Sequence, residues 1–395
     1  MRIRTYLAGL VLAGLPAIVL GADPGGSLGN NTAFNPAVSL ILSGQYASFS
    51  NDPSNYVISG ISPGGEASPG DAGLGIGESE LTLSSNVDNL FYGEFTASLA
   101  PDDTVSIEQA FFQTLNLPAG LTVQAGRFKS GFGYENARHS HTWDFVDSPL
   151  VYRALMGTQY ADDGVQVRWL APTDRFIEVG GELMRGDGYP AGGAAYDGTG
   201  AWTLFAHTGG DVGSGSSWRA GLSWLAAHSV DRESGDTSSP DKFTGDTTVA
   251  GVDFVWKWAP NRNPYRHNLK IQAEWLQRHE SGAYTNTSSY GSNVAYDARQ
   301  SGWYVQGAYQ FMPRWRVGLR YDWLKADDPG AAFASTSLDP GGRTPQRVSA
   351  MVDFANSEFS RLRLQYNIDD SGPTRNNELF LQYIMSLGAH GAHRF

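Results

Sequence analysis

The chain has 395 residues, of which 41% are hydrophobic and only 17% are charged, and its formal charge at pH 7 is −12. This acidic balance argues against a nucleic-acid-binding protein, which would need a basic surface. The lack of cysteine excludes disulfides, thiolate metal sites and cysteine nucleophiles, and an aromatic content of 12% argues against a disordered chain.

The N-terminus has the pattern of a secretory signal peptide. A basic start, Met-Arg-Ile-Arg, precedes an apolar run from Tyr6 to Leu20 and then the small residues Gly21 and Ala22. Pro16 interrupts this run, which is short for a membrane-spanning helix of about 20 residues. We therefore predict a signal peptide over residues 1–22 and one exported domain over residues 23–395. No later stretch is long and apolar enough for a membrane-spanning helix.

Apolar and polar residues alternate along almost the whole exported domain. Successive side chains of a strand point to opposite faces, so a segment of this kind has one apolar face and one polar face. In residues 315–325, for example, Leu319 lies on an apolar face and Arg320 on a polar one. The alternation predicts sixteen strands, at 37–48, 77–87, 91–100, 105–115, 121–130, 162–170, 176–186, 201–210, 217–229, 247–258, 268–280, 301–312, 315–325, 345–355, 359–369 and 377–395.

The connections between these strands are alternately short and long. The long ones are rich in Gly, Ser, Asp and Pro, and they include 49–76, 131–161, 187–200, 230–246, 281–300 and 326–344. Strands of about ten residues with short turns at one end and long loops at the other are typical of a transmembrane antiparallel β-barrel. A soluble sandwich or propeller is disfavoured, because the chain is long for a sandwich and has no blade repeat. We therefore predict an all-β barrel of about sixteen strands with long extracellular loops.

Four short segments carry a resemblance to a known family. They are Phe34-Asn35-Pro36-Ala37, Gly126-Arg127-Phe128-Lys129, Trp143-Asp144-Phe145 and the C-terminal stretch from Leu381 to Phe395. With them the chain resembles the sixteen-stranded proteobacterial porins, and among these the phosphate-selective porins O and P. The resemblance implies a location in the bacterial outer membrane, a channel role and a phosphate preference, although the acidic chain argues against the basic lumen that such a preference needs. This fold class is usually trimeric, and the sequence leaves homotrimer and monomer open.

The third long connection, 131–161, is the candidate constriction. In the porins that the chain resembles, this loop folds into the barrel, and its aromatic residues here favour packing over free solvation. Its charged candidates for the constriction are Glu135, Arg138, Asp144, Asp147 and Arg153. The alternation places acidic and basic residues on the inward face in equal number, so the wall is predicted to be near neutral. The pore-lining candidates on the wall are Arg168, Arg316, Arg320, Arg361 and Arg363.

Two hypotheses follow for this loop. The basic wall, led by Arg316, Arg320, Arg361 and Arg363, faces the acidic residues of the loop and places a transverse field across the pore; simple pairing of lumen charges is the alternative. His139 and His141, with Asp144 nearby, have ligand types that are compatible with zinc. The alternative is that both are ordinary loop histidines.

The sequence predicts a porin that is not an enzyme and needs no cofactor. Small hydrophilic solutes or ions would diffuse passively through a water-filled barrel that contacts outer-membrane lipid. A selective uptake channel for anions, phosphate or metals is the nearest alternative. An outer-membrane hydrolase or an adhesin would be a different class. The G-x-S-x-G match at 25–29 has no strand before it, and the loops contain no repeats.

Overall fold

The computed structural model describes residues 36–65, 67–100, 104–193 and 198–388. These residues form one antiparallel sheet that closes on itself, because β1 pairs with β17 from Ser39 opposite Gly388 to Phe49 opposite Glu378. The strands are β1 (Ala37–Phe49), β2 (Gly73–Ile76), β3 (Ser79–Asn86), β4 (Phe91–Leu99), β5 (Val105–Thr114), β6 (Leu121–Lys129), β7 (Ala161–Leu170), β8 (Phe176–Met184), β9 (Ala201–Val212), β10 (Ser216–Ser234), β11 (Asp241–Trp258), β12 (Asn268–Asn286), β13 (Gly291–Met312), β14 (Trp315–Ala326), β15 (Gln346–Ser357), β16 (Ser360–Asp369) and β17 (Asn376–Gly388).

The seventeen strand segments make sixteen crossings of the barrel wall. β2 and β3 both pair with β1 and are separated only by Gly77 and Glu78, so together they form one interrupted crossing. The predicted all-β, sixteen-stranded barrel is therefore confirmed. No helix within the described residues is long and apolar enough to cross a membrane.

The alternation of side chains determines which face of each strand lies outside. On β14, Leu319 is 67% exposed on the outer surface, whereas the neighbouring Arg320 is 2% exposed inside the barrel. Apolar side chains therefore form the outer surface, and most polar ones point into the lumen. This arrangement is the one a barrel needs when lipid surrounds it.

A charged residue on the outer face should accordingly be costly. We expect Leu319→Arg to destabilise the barrel in lipid by about 2–4 kcal/mol, because it places a guanidinium at mid-depth on the lipid side. The measurement is the free energy of unfolding from lipid vesicles in denaturant. Val87→Arg, in the short turn after β3, is the matched control, since Val87 is also exposed, at 62%, but lies beyond the strand ends. Equal losses in both variants would contradict a lipid-facing position for Leu319.

Four strands are longer than the alternation predicts. β10, β11, β12 and β13 extend through most of the predicted connections 230–246 and 281–300, which leaves only residues 235–240 and 287–290 outside strands. Those two loop predictions are wrong. Beyond the bilayer a strand needs no apolar outer face, so the alternation fades while the backbone pairing continues. A cluster of buried side chains holds these extensions together: Phe243, Tyr284, Tyr296, Ala298, Phe333 and Leu338.

The lumen is filled in part by residues 130–160, here called L3, the third loop at the end of the barrel that carries the long loops. L3 contains a short 3-10 helix, Ser140–Thr142, and an α-helix, α1 (Leu150–Met156), which is fully buried. Apolar side chains of α1 pack with Leu225, Val249, Leu276 and Leu324 of the wall, and with Ile58 and Ile61 of the first long loop, residues 50–72. The expectation of a generally water-filled lumen therefore needs correction, because an apolar core occupies part of the interior.

The end of the barrel with the long loops is called the loop end, and the opposite end the turn end. The predicted signal peptide at 1–22 and the last predicted strand residues, 389–395 with Phe395, lie outside the described residues.

Candidate functional site

The beginning of L3 is held by one carboxylate of the wall. Glu274 on β12 is 3% exposed, and its two oxygens accept hydrogen bonds of 2.9 Å from the backbone N–H groups of Tyr134 and Glu135. The same carboxylate accepts hydroxyl hydrogen bonds from Tyr152 of α1, at 2.6 Å, and Tyr304 of β13, at 2.5 Å. Glu274 therefore links both halves of L3 to the wall. The sequence places Glu274 on the inward face but gives no sign of this role.

Asp147 forms the second anchor, on the opposite half of the loop. Its oxygens lie 2.6 Å from Nη2 of Arg320 and 2.8 Å from Nη1 of Arg347. They also accept hydrogen bonds from the side-chain amides of Gln365, at 2.7 Å, and Asn367, at 3.1 Å. Four wall residues from three strands thus converge on a single loop carboxylate. Of these, the sequence singles out only Arg320 as a site residue.

Asp144 makes a similar contact nearer the turn end. It lies 2.8 Å from Nζ of Lys270 and 3.0 Å from Nη1 of Arg316, and Arg316 also pairs with Asp353 at 2.6 Å. Next to this group, Arg361 and Arg363 donate hydrogen bonds of 2.8 Å to loop backbone carbonyls, those of His141 and Trp143 respectively.

The acidic loop residues and the basic wall are therefore in direct contact. No open gap separates Asp144 and Asp147 from their arginine partners, so the predicted transverse field between them does not arise at this place. These ion pairs hold L3 against the basic wall.

The ion pairs also set the protonation of the two loop aspartates. Burial alone would raise the pKa of Asp147, but Arg347, Arg320 and Arg153 hold that pKa well below its usual range. Lys270 and Arg316 likewise lower the pKa of the buried Asp144. A carboxyl of the unfolded chain has a pKa of about 3.9. The stability contributed by these pairs is complete above that pH and is lost as the pH falls below it.

The other charged residues predicted to line the constriction or the wall lie apart from these ion pairs or at their edge. Glu135 accepts a hydrogen bond of 2.7 Å from Gln272, and Arg138 donates within the loop to the hydroxyl of Tyr134. Arg153 lies 3.6 Å from Asp147. Arg168 is not part of this constellation, because its guanidinium donates to Gln113 of β5, at 3.3 Å.

His139 and His141 face the other wall of the barrel. Their Nδ1 atoms lie 2.9 and 2.7 Å from the two carboxylate oxygens of Glu80 on β3. Asp144, which the sequence places near them, instead pairs with Lys270 and Arg316. The acidic partner of the histidines is thus a wall residue more than fifty positions away, and no local pattern could have identified it.

Three cavities lie around L3. The loop-end cavity, about 360 Å³, shares Glu78 and Gln159 with the middle cavity, about 170 Å³. The middle cavity in turn shares His141 and Ile384 with the turn-end cavity, about 250 Å³. The middle cavity is the smallest, and the loop histidines lie beside it.

The two end cavities carry opposite charge. Four acidic and two basic residues line the loop-end cavity: Glu78, Glu108, Asp162, Asp187, Arg127 and Lys129. Six basic and three acidic residues line the turn-end cavity: Arg138, Lys257, Lys270, Arg314, Arg316, Arg361, Asp144, Asp353 and Glu358. The charge that lines the interior therefore differs in sign between the loop end and the turn end.

Solved structures show what fold the chain shares. The outer membrane channel DcaP of Acinetobacter baumannii superposes with a TM-score of 0.54 at 15% identity, over 89% of this chain and 97% of that one. The trimer form of OmpT, an outer membrane protein of Vibrio cholerae, gives 0.54 at 10% identity, over 89% and 99%. An anion-selective porin from Comamonas acidovorans gives 0.51 at 10% identity, over 89% and 99%. At these identities the likeness is one of fold.

Comparison of the amino-acid sequence gives fewer matches than comparison of the fold. No family model matches the chain. An uncharacterized protein of Aquifex aeolicus is 30% identical over 345 residues, which is 82% of this chain and 70% of that protein. At this identity and coverage, the chain belongs to the same family as the Aquifex aeolicus protein, and it has the barrel fold of the outer-membrane porins.

Proposed function

We propose that the chain is a narrow outer-membrane channel through which small hydrophilic solutes or ions diffuse passively. The observation that carries this proposal is the series of three cavities around L3, which are joined by shared lining residues. The Asp144 and Asp147 ion pairs hold L3 in place beside the turn-end and middle cavities. L3 would then form the constriction, and the middle cavity beside His141 would be its narrowest part.

The charge of the cavities supports a directional preference for ions. An ion crossing from the loop end would first meet a mainly acidic cavity and then a mainly basic one. Rings and patches of fixed charge set the ion preference of a pore at close quarters. We propose that the basic turn-end cavity gives the channel a local preference for anions, despite the net negative charge of the chain. Phosphate is one anion that such a cavity could accept.

We also propose a cellular location and an assembly for the protein. The signal peptide over residues 1–22 would direct export, and residues 23–395 would form one barrel in contact with outer-membrane lipid. We propose no enzymatic activity, because a channel function accounts for the lumen contacts without one. A homotrimer is the proposed assembly, by analogy with the trimer form described for the Vibrio cholerae neighbour.

Conductance tests the channel function. In a planar bilayer we expect small stepwise currents that are larger at one voltage polarity, because the sign of the fixed charge changes along the route. Lys257→Glu reduces the net positive charge of the turn-end cavity from three to one, as counted from its lining residues. The reversal potential in a salt gradient should therefore shift toward cations.

Lys325→Glu is the matched control. Lys325 is exposed near the loop end of β14 and does not line the turn-end cavity, so its replacement should leave the reversal potential unchanged. Correctly folded protein that never conducts would contradict the channel function. Turnover of a substrate by such protein would favour the hydrolase class instead.

A further inference from the structure

We infer that a divalent transition-metal ion binds between L3 and the wall, with Glu80, His139 and His141 as ligands. One ligand atom from each of the three residues lies within 4.8 Å of the others. A tetrahedral metal ion with ligands at about 2.0–2.2 Å holds them about 3.3–3.6 Å apart, so side-chain rotations of about 1 Å would bring these atoms into position. The three side chains belong to two separate parts of the fold, so the site exists only when L3 is docked.

The surrounding charge favours a dication. Glu78 and Glu108 lie beside Glu80, and one carboxylate oxygen from each of the three is within 4.8 Å of the others. The positive neighbour is Lys129, whose Nζ is 3.0 Å from Glu108 and 3.4 Å from Nδ1 of His139. Three carboxyl groups against one ammonium make this part of the lumen acidic by composition, which favours the binding of a divalent cation. Lys129 can remain paired with Glu108 outside the coordination shell.

The ligand types select the class of metal. Two imidazoles with a carboxylate suit Zn²⁺ and its transition-metal neighbours, whereas Mg²⁺ and Ca²⁺ prefer oxygen ligands alone. Glu78 lies next to this site, since its carboxylate is close to that of Glu80, and it also lines the loop-end and middle cavities. Its present partner is the hydroxyl of Ser140, the residue between the two histidines.

A metal ion bound at this site would affect conduction through the channel. This inference rests on the proposed function. His141 lines both the middle and the turn-end cavities, and Glu78 lines both the loop-end and the middle cavities. A bound ion would therefore connect L3 to β3 at the narrowest part of the route. It would also hold the loop at a second place besides the Asp147 ion pairs, and as a bound ion beside the middle cavity it would obstruct the channel.

The test measures metal binding and current separately on the refolded full-length barrel. We expect Zn²⁺ to bind in calorimetry with one strong site per chain, Mg²⁺ not to compete, and Zn²⁺ to reduce the single-channel current. His139→Ala combined with His141→Ala should weaken Zn²⁺ binding by at least about tenfold and remove the block. His228→Ala is the matched control, because His228 also lies 2.8 Å from a carboxylate oxygen, that of Asp246, but on an exposed pair away from the cavities.

The outcomes distinguish the two proposals. Wild-type protein that conducts but shows no strong Zn²⁺ site overturns the metal site and leaves the channel function intact. A Zn²⁺ site that the double variant loses, in protein that never conducts, supports the metal site and overturns the channel function. Binding that survives in the double variant places the metal elsewhere and overturns this assignment.

Discussion

Replacing Asp147 by alanine is expected to release L3 from the basic wall and to lower the free energy of unfolding by about 3–5 kcal/mol. The variant leaves the guanidinium groups of Arg320 and Arg347 buried, at 2% and 0% exposure, with one shared carboxylate, that of Asp322, at 3.1 and 3.4 Å. Two buried cations on a single carboxylate are the main reason for the size of the effect. Denaturant unfolding in lipid measures the stability, and a larger single-channel conductance is expected from the loosened loop.

Asp370→Ala provides the comparison. Asp370 also forms an ion pair with an arginine, Arg375, at 2.8 Å, but this pair is on the surface between β16 and β17. Exposed pairs contribute little because water screens them, so this variant should behave like the wild type. If Asp147→Ala also left the free energy of unfolding and the single-channel conductance unchanged, other contacts would have to hold L3 in place.

Glu274→Ala should have a comparable effect, on both halves of the loop. It removes the acceptor for two tyrosine hydroxyls and two backbone N–H groups. A buried donor left without a partner costs about 1–3 kcal/mol, so we expect a loss of several kcal/mol. The undocked loop should then become accessible to trypsin at Arg138 and Arg153, and mass spectrometry of the fragments would identify the cleavage sites.

Glu94→Ala is the control for that experiment. Glu94 also accepts a hydrogen bond from a tyrosine, the hydroxyl of Tyr92 at 2.6 Å, but it has no contact with L3 among its hydrogen bonds. Its loss should leave the loop protected from trypsin. Protection that persists in Glu274→Ala would argue that the apolar packing of α1 alone keeps the loop in place.

The strand positions are predictable because lipid and water impose opposite requirements on alternate residues. Leu319 and Arg320 are neighbours in sequence, and their exposure follows directly from the alternation. The same reasoning fails for the outer parts of β10 to β13, where both faces meet water or other loops. In that region Tyr284 and Tyr296 pack on Phe333, a contact between distant segments that has no local signature.

The loop contacts are harder to predict than the strands. The aromatic content of L3 indicates an inward position, but it does not indicate which wall each charge meets. Asp144 and His141 are three residues apart, but their side chains contact different strands, since Asp144 meets β12 and β14 and His141 meets β3. Their partners, Lys270 and Glu80, are defined only by the closed barrel.

The closure of the barrel between β1 and β17 also has a consequence for how the chain folds. These strands stand at opposite ends of the described chain, so their pairing has a very high sequence separation and is expected to form late. Asp147 needs partners on β14, β15 and β16, and the loop histidines need one on β3. L3 therefore cannot reach its final position until nearly the whole chain has been synthesised and assembled. Until then, the charged side chains of L3 are unpaired and the edges of the open sheet are exposed. Other molecules must prevent both from making wrong contacts.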